Sequence, residues 1–157
     1  MSTSEPPIPL CLLIADQVYQ DRESGNNIIA GTFNTVNVSQ LPFQHPSFSV
    51  FFQVTNVTRP VELRLCIEYA ADGNMIFDLG GPISANTPMD VISKGIRLAG
   101  LPFEKAGKYW VQLRSEGAIL IQAPLHVNIA KQDQRRRRKS PDAGPDPEPD
   151  PERHPED

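Results

Sequence analysis

Reactive side chains are scarce in this sequence. Two cysteines, three histidines and one tryptophan are all that its 157 residues provide. Cys11 and Cys66 stand apart without a C-x-x-C spacing, so they make no zinc site, and they read as small residues in strands. His45, His126 and His154 fall in a turn, a strand and the C-terminal segment, with no Cys-His or Ser-His-Asp arrangement around them. An exposed strand position suits His126, and a turn-stabilising one suits His45 beside Pro46. The sequence therefore names no catalytic residue, no metal ligand and no cofactor site, and the expectation is a protein that is not an enzyme. Long hydrophobic runs are also missing. The apolar stretch Leu10 to Ala15 ends at Asp16, is too short to cross a bilayer and is not preceded by the basic residues of a signal peptide. The expected location is the cytoplasm, with no membrane contact and both thiols reduced.

Other motifs fail on inspection. Asp21 and Glu23 would lie at one end of an antiparallel body and Asp72 at the other, so these acids read as solvated turn residues, not as a calcium site. Gly80-Gly81-Pro82 has no lysine and no following helix, so it is no phosphate cradle. No segment has the pattern of a long amphipathic helix.

What the sequence does have is alternation. Val61, Leu63, Leu65, Ile67 and Tyr69 share one phase, with Glu62, Arg64, Cys66 and Glu68 on the other. Phe48, Val50, Phe52 and Val54 repeat the pattern, as do Ile119, Ile121, Leu125, Val127 and Ile129. A period of two with one apolar phase marks strands that bury one face. Turn signals divide these runs: Glu23 to Asn26, Gln44-His45-Pro46, Thr58-Arg59-Pro60, Ala71 to Asn74, Gly80-Gly81-Pro82, Lys105-Ala106-Gly107 and Ser115-Glu116-Gly117. About eight strands result, at 10–19, 27–38, 47–57, 61–70, 75–79, 90–98, 108–114 and 118–129. With no helix to cover a single sheet, two antiparallel sheets packed as a β-sandwich satisfy the apolar phases. A closed barrel is the alternative.

Near the end of the body, Glu104, Gly107 and Tyr109 form an E-x-x-G-x-Y spacing that resembles the entry to the penultimate strand of immunoglobulin-like sandwiches. There Gly107 would take a positive φ, and the Tyr109 hydroxyl would bond back to main chain while its ring joins the core. Over Leu10 to Ile129, "IADQVYQDRESGNNIIAGTFNTV", "HPSFSVFFQVTNVTRPVELRL" and "FEKAGKYWVQL" resemble an uncharacterised family of bacterial β-sandwich proteins, a domain of unknown function. That resemblance implies a fold and a cytoplasmic setting, and brings no activity or site residue with it.

The chain divides into an N-terminal arm at 1–8, a sandwich domain at 9–130 and a tail at 131–157. The tail has no aliphatic residue larger than alanine and is rich in proline and charge, a composition expected to stay disordered. Its cations come first, at Arg135, Arg136, Arg137, Arg138 and Lys139, and its acids follow. The basic run is the candidate polyanion contact. Five solvated charges without interleaved aromatics give weak, salt-sensitive binding to nucleic acid, and the acids can pair with them in cis.

Alternation also turns some large side chains outward. Phe51 opposes the phase of Phe48, Val50 and Phe52, while Trp110 and Gln112 oppose that of Tyr109, Val111 and Leu113. If the two strands shared a sheet, Phe51, Trp110 and Gln112 would form an aromatic and amide patch suited to a protein interface. The functional expectation is a non-catalytic module that binds a protein partner or itself. A nucleic-acid-associated protein using residues 135–139 is the alternative, and an enzyme of unfamiliar type the third.

Overall fold

A computed structural model describes residues 4–130, and every regular element among them is a strand. In chain order these are β1 (Ile8–Gln20), β2 (Asn27–Thr32), β3 (Thr35–Val38), β4 (Phe43–Thr55), β5 (Val61–Tyr69), β6 (Met75–Ile83), β7 (Ile92–Phe103), β8 (Gly107–Ser115) and β9 (Ala118–Ile129). They form a four-stranded sheet in the order β2-β1-β4-β7 and a five-stranded sheet in the order β3-β9-β8-β5-β6. All pairings are antiparallel except that of β3 with β9. The apolar phases meet between the sheets, where Phe48, Phe52, Leu65, Ile67, Phe103 and Leu113 are buried in one cluster.

The chain crosses from one sheet to the other between β2 and β3, returns between β3 and β4, and crosses again between β4 and β5, β6 and β7, and β7 and β8. This is the connectivity of an immunoglobulin-like sandwich. Its last crossing has the corner that the sequence suggests: Gly107 takes φ 127°, and the Tyr109 hydroxyl donates to the Lys105 carbonyl at 2.7 Å. The Tyr109 ring is buried, 5.1 Å from Phe103 and 5.0 Å from Tyr69. No disulfide links the sheets, because Cys11 and Cys66 sit on the outer faces of opposite sheets as free thiols.

Several boundaries differ from the alternation reading. The expected strand at 27–38 is two. Phe33 donates its N–H to Ile14 in one sheet, and Asn34 accepts from His126 in the other, so the chain changes sheets there. Period two is the same on both sides of such a crossing and cannot reveal it. Gln44-His45-Pro46 lies inside β4, not in a turn. Pro46 is tolerated because β1 pairs with β4 only from Ile8 to Ala15, so at Pro46 the strand has a neighbour on one side alone. Ile119 leaves the face of Ile121, Leu125 and Val127. A register shift pairs Leu113 with Ile121 but Arg114 with Ile119, which leaves Ile119 exposed.

Candidate functional site

Five strands face four, and the mismatch leaves one side of the sandwich open. Leu79, Gly81 and Ile83 of β6 are register partners of the buried Leu65, Leu63 and Val61, so they point toward the core. Among the described residues no strand of the smaller sheet lies beyond β7 to cover them, and Leu79 is 48% exposed despite its inward phase. Between β6 and β7 this leaves a groove of about 240 Å³, floored by Phe52, Leu63, Leu65 and Leu113. Gly80-Gly81-Pro82 is thus strand, not turn. Opposite Gly80 the Arg64 side chain fills the space, since a Cβ there would lie 2.6 Å from its Nη1. At Gly81 no heavy atom comes within 4 Å of the Cβ position.

Lys94 borders the same groove. It is the register partner of the core residue Phe52 and lies between Ile92 and Ile96 in the inward phase, yet it is exposed. A lysine turned inward on an edge strand blunts pairing with stray strands. It makes no ion pair among the described residues. The signal for this site was present in the sequence: a lysine on the apolar phase of β7, and a glycine on the apolar phase of β6.

The outward residues lie apart. Phe51 is on β4 in the four-stranded sheet, whereas Trp110 and Gln112 are on β8 in the other, so the shared patch does not form. Phe51 is 4% exposed. Its register partners are Leu13 and Gly95, and Val18 comes within 2.7 Å of where a Gly95 side chain would begin. Beyond Ala15, β1 pairs only with β2, and this hairpin leans over the outer face so that Asp16 to Tyr19 confront Ser47, Ser49, Gly95 and Arg97. The alternation was right about direction; the hairpin removes the exposure.

Gln112 is 1% exposed although it also points outward. Its Nε2 donates to Glu68 Oε1 at 3.0 Å and Gln122 Oε1 at 3.1 Å, and its Oε1 accepts from the Arg114 guanidinium at 2.9 Å. Arg114 also pairs with Glu68 at 3.2 Å. An amide with every bond made is a structural tie, not a free rim. Trp110 is half-buried, with Lys108 Nζ 3.8 Å above its ring. On the neighbouring strand Cys66 donates to Asp78 at 3.4 Å, and burial pushes its thiol up to about 11, so it is a poor nucleophile. Arg64 next to it is held by Asp78 and Glu62, which raises its pKa further.

His45 lies in β4 among Phe33, Phe43 and Phe48, with the Phe48 ring centroid 5.1 Å away. Its Nδ1 is buried without a hydrogen-bond partner. Burial lowers its pKa, and the charge of Asp16 opposes that in part. His126 is half-buried in β9 beside β3. No cluster of three or more His, Cys, Asp or Glu side chains arranged for a metal occurs among the described residues. Nor is any helix among them long and apolar enough to cross a membrane. Arg135 to Lys139 and His154 lie outside the described residues.

Residues 10–128 match the model of a family described as "Family of unknown function (DUF6941)". The chain belongs to that family. No curated protein matches the DUF6941 chain. Among solved structures it is similar to an immunoglobulin-like protein from Pseudomonas aeruginosa, at 12% identity and a TM-score of 0.44 over 81% of this chain and 100% of the other. It is also similar to part of a β-glucosidase from Listeria innocua in complex with gluconolactone, at 10% identity and a TM-score of 0.40. That match covers 60% of this chain and only 14% of the glucosidase.

Proposed function

We propose that this chain is a non-catalytic cytoplasmic module that binds another protein through the open side of its sandwich. The observation that carries the reading is Leu79, an inward-facing core position left half in water above an apolar groove. Apolar area held in water is unfavourable by about 25 cal/mol per Å², and a partner that covers it recovers that free energy. The groove, at about 240 Å³, is smaller than the roughly 300–1,000 Å³ of small-molecule pockets. Side chains of a protein fit it better than a metabolite does. Among the described residues Lys94 is the only ionisable side chain in its lining, so these residues offer no acid and base pair for catalysis there. Two unpaired thiols suit a reducing compartment.

The test is capture from native cells with the tagged full-length chain and its Gly81→Val variant. Valine fits because the Cβ position is open and the strand conformation favours it. A protein retained by the wild type and lost from a variant of unchanged melting temperature is the expected result. Equal retention by both, or none by either, refutes the reading.

A further inference from the structure

We infer that the free edge of β7 takes up an extended strand of the partner, which adds a fifth strand to the smaller sheet, sets apolar side chains into the groove and places a carboxylate against Lys94. The inference rests on the protein-binding reading and specifies its geometry. β7 is 12 residues long and ends its sheet, so along its outer side its backbone N–H and C=O groups have no strand neighbour among the described residues. Such an edge is a template for pairing. A strand bonded to it would lie about 4.8 Å beyond β7 and about 10 Å above the facing sheet, which is the empty place over β6. Alternate side chains of the added strand would then descend toward Leu79, Gly81 and Ile83, where the open space at Gly81 admits them.

The edges of the two sheets are not equivalent. β6 carries Pro82, which has no N–H to donate, whereas β7 has none until Pro102, near its far end. Charge decides the kind of occupant. The ionisable side chains of β7 are Lys94 and Arg97, both cationic and both exposed. A second copy pairing edge to edge would add two more cations and no acid to the shared strand pair, which is unfavourable. A strand with an acidic residue among its alternating apolar ones meets Lys94 with the opposite charge and escapes that repulsion.

The probe is a blocked eight-residue peptide with valine at alternate positions, one of them replaced by glutamate, and threonine between. Its counterpart has lysine in place of the glutamate. Binding to the full-length protein is followed by fluorescence anisotropy, and the contact surface by amide shifts and hydrogen exchange. The glutamate peptide should bind at least about tenfold more tightly than the lysine peptide. Amides around Ser93 to Ala99 should shift and become protected. Lys94→Glu should reverse the preference, and Gly81→Val should weaken both peptides. Equal binding of the two peptides, or binding of neither, overturns strand addition. Shifts confined to the outer face near Leu13 overturn it as well, but leave protein binding standing at another surface. A dimer of the chain itself, abolished by Gly81→Val, would make a second copy the occupant and reject the acidic partner.

Discussion

Across the middle of the five-stranded sheet the outer face is a lattice of charge, with Glu62, Arg64 and Asp78 bonded together and Glu68, Arg114 and Gln112 beside them, whereas the rows Cys11–Gln53–Ser93 and Leu13–Phe51–Gly95 on the other sheet carry no charge. Each face nevertheless buries a residue that alternation turns outward. On the charged face the neighbours of Gln112 close over it with their polar groups, and on the uncharged face a hairpin covers Phe51. Outward phase and exposure are therefore separate properties. The first is set by the pleat, and the second by what folds back over it.

The comparison breaks most easily at Phe51. Phe51→Ala should cost about 3–5 kcal/mol in urea denaturation, the range for a phenylalanine in a packed interior. A cost under about 1 kcal/mol would mean that the hairpin gives little cover. Gln112→Ala comes next, at about 2 kcal/mol, because it leaves partners on Glu68, Gln122 and Arg114 with bonds unmade. A near-neutral Gln112→Ala would show that water replaces the amide and that the charged face is not sealed.

The root of the hairpin sharpens the comparison through pH. His45 is held below its ordinary pKa of about 6.5, so the folded state favours the neutral ring. Its contribution to stability is complete above that value and is lost as pH falls through the lowered one. The melting temperature should decline as pH falls below about 6.5, and His45→Phe should flatten that decline. An unchanged slope in the variant would assign it to other groups. The smallest effect belongs to Lys108→Ala, at about 0.5 kcal/mol for an exposed cation over an aromatic ring. Because Trp110 is the chain's single tryptophan, its emission should change with the same substitution.

Much of the fold was legible because one buried face per strand leaves a period of two. The Tyr109 corner was legible because a positive φ and a hydroxyl need particular residues at a fixed spacing. The crossing at Phe33 and Asn34 was not, since alternation continues unbroken when a chain changes sheets. The open groove was half legible. Lys94 on an inward phase announces an edge strand, but Gly81 reads as turn chemistry until its partner Leu63 is known. The proposed interface patch was misplaced for a related reason: nothing local to Phe51 or Trp110 records which sheet its strand joins.

The parallel pairing of β3 with β9 sets a schedule for biosynthesis. Thr35 meets His126 and Val38 meets Ile129, so a short strand made early must wait for about 91 residues before its only sheet neighbour among the described residues exists. At about 5–20 residues per second on the ribosome, that wait is roughly 5–18 s. Through it Val36 and Val38, buried in the finished protein, have no β9 to lie beside. A strand of 4 residues is a poor template for foreign chains, and keeping β3 that short limits the hazard while the nascent chain grows.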